Sequence, residues 1–247
     1  MESDGQTALP PGLDLLWGRR ERGRKGPKPG LTLEAIVEQA IAIADAEGLS
    51  AVSMARVAKD LGFTTMSLYR YVDNKDELLQ LMWNASSSGA PEIEGDDWRS
   101  KLRSWAIGQW TMLEARRWIL ELPIVTPPAG PQALAWIEQA MAALDGTGLS
   151  DAESMGVVGL LSSYTLGEGR MAYDAAVAAE RGGQSYDYAA VLRAVAEEHT
   201  YPSIHRVAWS GEIDDPEGSG EEESYLFGLE VILDGIAARI ERAERSS

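Results

Sequence analysis

The stretch SMARVAKDLGFTTMSLYRYVDNKDELLQL, Ser53 to Leu81, decides the fold. Met54, Val57, Ala58 and Leu61 recur at intervals of three, four and seven. That spacing is one face of a short helix with Ser53 as its N-cap, and Gly62 stops it. After a turn of a few residues, a second short segment places Leu68 and Val72 inward, four apart, and leaves Thr64, Thr65, Ser67, Tyr69 and Arg70 facing outward. This is the profile of a helix-turn-helix. The outward set suits DNA: hydroxyls and amide N–H groups for phosphates, an Arg that forks onto a guanine edge, and an aromatic that stacks or hydrogen-bonds. Ser53, at the start of the first helix, is counted with this surface. Asn74 restarts the chain with Glu77 at capping-box spacing, and Leu78, Leu79 and Met82 open a third helix. The residues predict a sequence-specific DNA-binding unit.

Thr32 to Met82 resembles the DNA-binding domain of TetR-family transcriptional repressors, whose signature after the turn reads roughly Leu-Tyr-x-His/Tyr-Phe/Val, two residues, then Lys. Here it stands as Leu68-Tyr69-Arg70-Tyr71-Val72-Asp73-Asn74-Lys75. The resemblance implies base-edge contacts from Thr65, Met66 and Arg70, and phosphate contacts from Ser67, Tyr69, Tyr71 and Lys75. Met66 departs from the small residue or proline often found at its position. For the tyrosines the alternative reading is packing of the three-helix unit, and for Lys75 a solvated helix start.

The chain has 247 residues, enough for one small and one larger domain. Its formal charge of −17 is unevenly placed: residues 1–83 carry ten Lys/Arg against twelve Asp/Glu, and residues 84–247 twelve against twenty-seven. An acidic second domain repels phosphate and orients docking through the N-terminal face. The absence of cysteine excludes disulfides, thiolate zinc sites and cysteine nucleophiles. No apolar run reaches the roughly 20 residues of a membrane span, and the N-terminus lacks signal-peptide order. A soluble, cytoplasmic protein without membrane partners is expected.

Residues 1–16 contain Gly and Pro, with an apolar patch that has no period, and little order is expected there. Residues 18–30, GRRERGRKGPKPG, hold six basic residues, Arg19, Arg20, Arg22, Arg24, Lys25 and Lys28, against one acid. Two prolines and four glycines prevent a stable helix. The segment is either an arm along the minor groove or the phosphates, or a solubilising leader. The first helix is expected from a Thr32 N-cap to Gly48, with Ile36, Val37, Ala40, Ile41 and Ala44 inward. Polar residues 86–97 mark a break between domains. Three domains are therefore expected: a flexible arm over 1–31, the helix-turn-helix over 32–83, and a helical effector-binding and dimerisation domain over 84–247. The fold class is all-α.

In the larger domain a long helix is expected from Trp98 to Glu121. A proline-rich connection follows, then a helix from Gln132 to Leu144, then a long one over Met155 to Ala179 after the Ser150/Glu153 capping box. Residues 181–223 read as a mobile excursion with one short helix. The last segment, Ser224 to Arg242, carries two apolar stripes. Tyr225, Leu229, Ile232, Leu233, Ile236 and Ile240 form one. Phe227, Val231 and Ala238 form the other, beside Gly228 and Gly235, seven apart. A helix apolar on two faces is buried on two sides. Phe227, Gly228, Val231 and Gly235 are the candidate subunit interface, with burial inside one monomer as the alternative.

Tyr164-Thr165-Leu166-Gly167 and the run Tyr225 to Gly235 resemble stretches of the regulatory domain of the tetracycline repressors. The resemblance implies a homodimer joined by a four-helix bundle and reading a near-palindromic double-stranded DNA operator. It also implies an effector pocket at Trp105, Gln109, Leu113, Trp136, Gln139, Met155, Val158, Ser162 and Met171. An apolar lining with a few orienting polar groups is the composition of a small-molecule site. Pro123 stands where the tetracycline repressors have a metal-ligating histidine, so no metal or other cofactor is expected, and a flat, largely apolar effector is. His199 and His205, beside Glu197 and Glu198, match no metal-helix spacing, and no nucleophile or phosphate loop supports an enzyme. The expected function is a DNA-binding repressor released by such an effector. An effector-independent regulator or activator of the same fold is the alternative.

Overall fold

The computed structural model describes residues 9, 12–19, 30–87, 92–122, 128–182, 187–214 and 221–245. Among them the protein is all-α, with eleven α-helices, two 3-10 segments and no strand. A helical turn, α1 (Leu13–Leu16), leads in, where the composition predicts little order. Tertiary contact explains it. Leu15 is buried in the core of the N-terminal unit, and the Trp17 Nε1–H donates to the Ala129 carbonyl at 2.9 Å, far along the chain. The rest of residues 1–11, apart from 9, lies outside the described residues.

The N-terminal unit comprises α2 (Leu33–Glu47), α3 (Met54–Asp60), α4 (Thr65–Leu68) and α5 (Lys75–Ser86). Each starts on a side-chain cap: Thr32 accepts from Ala35 N–H, Ser53 from Arg56 N–H, Thr64 from Ser67 N–H and Asn74 from Glu77 N–H. The Glu77 carboxylate returns to Asp73 N–H at 2.5 Å, one residue before the cap, instead of to Asn74. Gly48 and Gly62 take φ of +83° and +75° where α2 and α3 end, a region open to glycine without strain. Along α2, Ile36, Val37, Ala40 and Ala44 are buried as the periodicity predicts. Ile43 is buried too, and Ile41 only half-buried, because α2 packs against α5 as well as α3.

The larger unit holds α6 (Trp98–Ala115), α7 (Pro131–Ala143), α8 (Asp151–Glu180), α9 (Tyr188–Val195), α10 (Pro202–Trp209) and α11 (Glu221–Glu244). The helix expected over 98–121 breaks at Arg116, and Arg117–Glu121 continues as a 3-10 segment. The break lets Trp118 Nε1–H donate to Asp45 of α2 at 2.6 Å and sinks Ile119 and Leu120 into the N-terminal core. That docking outweighs helix continuity. Between 181 and 223 two short helices stand where one is expected. α9 and α10 pack chiefly on each other, and Pro202 fits the first position of α10.

α6, α7, α8 and α11 enclose the second core. Tyr225 stacks between Trp110, 4.4 Å between ring centroids, and Tyr164, 5.5 Å. Its hydroxyl donates to the Ala106 carbonyl at 2.9 Å, and burial pushes its pKa up to about 12. Ser150 and Glu153 form the predicted capping box. Arg99 and Arg103 both grip Glu230, tying α6 to α11.

Candidate nucleic-acid interface and effector cavity

The caps and the Gly62 turn set α4 across α3, with Val57, Ala58, Leu68 and Val72 closed beneath. On the outer side Ser53, Thr64, Met66, Tyr69, Arg70 and Lys75 are exposed, Met66 to 74%, and Thr65 and Ser67 are half-buried. Two of the hydroxyls hold each other, Thr64 Oγ1 and Ser67 Oγ at 2.9 Å, so both ends of α4 are pre-ordered. Tyr71 is engaged differently. Half-buried, its hydroxyl donates to the Leu31 carbonyl at 3.0 Å and pins the chain entering α2. Gly30 rests on Phe63 of the turn, where a Cβ would come within 3.2 Å of the ring. The last residue of the basic segment is thus held beside the helix-turn-helix. Arg19 is exposed, and Arg20, Arg22, Arg24, Lys25 and Lys28 lie outside the described residues. Arg56 is tied to Glu47 at 2.6 Å and Asp60 at 2.8 Å, which holds the Glu47 carboxyl below its usual range.

A cavity enclosing about 590 Å³, part of it open to solvent, lies where α5, α6, α7 and α8 meet. Of the nine expected effector residues it is lined by Gln109, Leu113, Trp136 and Ser162. The other five are placed elsewhere. Met155 and Met171 are 50% and 71% exposed on α8, because the helical period turns both positions off the buried stripe of Ser154, Val157, Val158, Leu161, Thr165 and Gly169. Trp105 and Val158 are buried core, and Trp105 donates to the Trp136 carbonyl at 2.8 Å. Gln139 lies on α7 away from the lining. Sequence reasoning misses Trp83 and Ser87 from the α5 end, Met112, Ile119, Pro128, Ala133, Ile137 and Leu166. Nothing in the sequence marks Ser87 and Pro128, and only hydrophobic spacing marks the others, which ordinary core shares.

Two hydrogen bonds cross the cavity wall between α5 and α7. Trp136 Nε1–H donates to the Ser87 carbonyl at 2.9 Å, and Gln132 N–H to Asn84 Oδ1 at 3.1 Å. The second is an N-cap supplied from another helix, since Gly130, at the N-cap of α7, has no side chain to offer.

On the opposite side of the larger unit, Phe227 and Val231 of α11 are 74% and 54% exposed. Met155 and Leu160 of α8 are 50% and 52% exposed as well. Gly235 faces open space, whereas a Cβ on Gly228 would meet Tyr164 Oη at 2.2 Å. Gly228 therefore makes room for Tyr164 where α11 meets α8 in its own chain. Among the described residues no group of three His, Asp or Glu is placed to hold a metal, and His205 Nδ1 sits 3.0 Å from the Ala196 carbonyl. Pro123 lies outside the described residues. No described helix is long and apolar enough to cross a membrane.

Residues 36–82 match the family described as bacterial regulatory proteins, tetR family, and residues 90–240 the tetracyclin repressor-like C-terminal domain. The chain belongs to the TetR family. It is a DNA-binding transcriptional repressor, not an enzyme. It is 33% identical over 244 residues to the HTH-type transcriptional repressor DrrR1 of Streptomyces coeruleorubidus, covering 95% of this chain and 88% of the relative. Apo ActR of Streptomyces coelicolor, another TetR-family protein, superposes with a TM-score of 0.73 at 28% identity, covering 87% of this chain and 99% of that one. ActR in complex with actinorhodin gives 0.69 at 28% identity, covering 85% and 98%. TetR-family structures of this kind are thus known with small molecules bound.

Proposed function

We propose that this TetR-family repressor works as a homodimer on a near-palindromic operator, with half-sites about one helical turn, roughly 34–36 Å, apart. Recognition runs through Thr65, Met66 and Arg70 at base edges. Ser53, Thr64, Ser67, Tyr69 and Lys75 meet the phosphates, with Tyr71 chiefly positioning the unit through Leu31. The basic segment 19–28 adds phosphate contacts, and the exposed faces of α8 and α11 pair the subunits. The site of action is cytoplasmic.

A small, largely apolar effector in the α5–α8 cavity releases the operator. The observation that carries this reading is the position of α5: it belongs to the DNA-binding unit, yet its end supplies Trp83 and Ser87 to the cavity. A ligand that fits one separation of α5 from α7 better than another shifts the spacing of the two recognition helices, and that differential affinity is the whole source of the switch. The ActR complex with actinorhodin supports a small-molecule effector for a related fold.

Band shifts on DNA fragments adjoining the protein's own gene, at two salt concentrations, test the reading. Specific retardation is expected, and Arg70→Ala is expected to lose about 1–3 kcal/mol of it. Retardation equally strong on every fragment, unaltered in Arg70→Ala, would refute it.

A further inference from the structure

The cavity carries information about charge as well as shape. Among the described residues that line it, none is ionisable. Yet the surrounding domain is strongly acidic, so the neutrality of the cavity contrasts with a surface rich in charge.

Apart from the indole N–H groups of Trp83 and Trp136, the polar side chains of the described lining are Ser87, Gln109 and Ser162. Ser87 is already committed, its carbonyl accepting from Trp136 Nε1–H and its hydroxyl donating to the Trp83 carbonyl at 3.2 Å. What remains is the pair Gln109 and Ser162, facing each other from α6 and α8 with Nε2 and Oγ 3.4 Å apart. That long contact leaves the amide oxygen, the second amide hydrogen and a serine lone pair free to turn to a ligand. Two indoles, Trp83 and Trp136, together with Met112, Leu113 and Ile137, supply flat or deformable apolar surface elsewhere.

We infer that the effector is an uncharged planar aromatic molecule carrying hydroxyl groups along one edge, and that Gln109 with Ser162 is the pair that reads that edge. A formal charge in the enclosed part of the cavity has no partner among the described lining residues, and its desolvation is not repaid. The inference rests on the effector reading above and adds a ligand class and two specificity-determining residues to it.

Calorimetric titration and melting-temperature shifts on the full-length protein test it with three probes. Danthron is a neutral dihydroxyanthraquinone, rhein is the same ring system with a carboxylate added, and anthraquinone lacks the hydroxyls. Danthron is expected to bind and to raise the melting temperature, and rhein to bind at least about tenfold more weakly at neutral pH. Gln109→Leu and Ser162→Ala are each expected to weaken danthron about fivefold while leaving anthraquinone unchanged. Rhein binding as tightly as danthron overturns the charge rule, and an equal loss for danthron and anthraquinone overturns the edge-reading pair. In both cases the cavity remains an effector site. Absence of binding by all three probes to wild type would remove the effector reading and this inference together.

Discussion

Asn84→Ala separates the stability of α7 from its attachment to the DNA-binding unit. Asn84 Oδ1 is the acceptor for Gln132 N–H at 3.1 Å, in the first turn of α7, and Gly130 supplies no side-chain cap. Losing a side-chain N-cap costs about 1 kcal/mol, within a range of roughly 0.5–2. For a chain of this length that lowers the melting temperature by about 2–4 °C. Gly130 also explains why the cap comes from elsewhere. Its φ of −72° admits any residue, but a Cβ there would stand 2.3 Å from Asn84 Oδ1. In the Asn84→Ala background the remaining tight neighbour is Leu16 Cδ1 at 3.2 Å, the end of a flexible side chain that gives by a few tenths of an ångström, so Gly130→Ser fits and caps α7 from within. The double variant is expected to regain the wild-type melting temperature while α5 stays unlatched from α7, and to bind operator DNA up to about fivefold more weakly, the worth of one net hydrogen bond. Thermal denaturation and operator titration on the two variants and wild type give the answer. An Asn84→Ala melting temperature equal to wild type, or a double variant as unstable as the single one, would refute the trans-cap argument.

Gly228→Ala places a methyl 2.2 Å from the Tyr164 hydroxyl and should cost about 1–3 kcal/mol in chemical denaturation, with Tyr164→Ala relieving the clash in the double variant. Glu153 tests the electrostatics. Ser150 N–H, the Ser150 hydroxyl and Arg239 hold its carboxyl down to about 2. A depressed carboxylate stabilises the fold above its unfolded value of 4.5, and that contribution disappears as pH falls toward 2. Glu153→Gln should therefore flatten the stability profile across that window, and an unchanged slope would count against the box. Val231→Glu, on the exposed face of α11, should shift sedimentation toward monomer and leave the melting of the isolated subunit unaltered, whereas an unshifted dimer would move the interface elsewhere.

The helix-turn-helix was legible because its determinants are local. Caps at Ser53 and Asn74, the left-handed Gly62 and the inward pair Leu68 and Val72 act within one or two turns of themselves, so a linear reading contains the physics. The same holds for the Ser150/Glu153 box and for the buried stripe of α11, from Tyr225 to Ile240. Where long-range contacts overrule local preference the reading fell short. α1 forms because Leu15 finds a core and Trp17 a carbonyl across the chain, and the break at Arg116 forms because Asp45 receives Trp118.

By itself the sequence determined an all-α chain with a DNA-reading helix-turn-helix at one end and acidic helices at the other, since periodicity, capping and charge are properties of neighbours along the chain. Only the tertiary structure decided which apolar residues face a cavity and which fill the core, that Met155 and Met171 point outward, that Gly228 makes room for Tyr164, and that Asn84 caps a helix not its own. The physical reason is that a void is defined by what surrounds it. Leu113 beside the cavity and Leu102 in solid core are the same side chain under the same helical period, and only the meeting of α5, α6, α7 and α8 tells them apart.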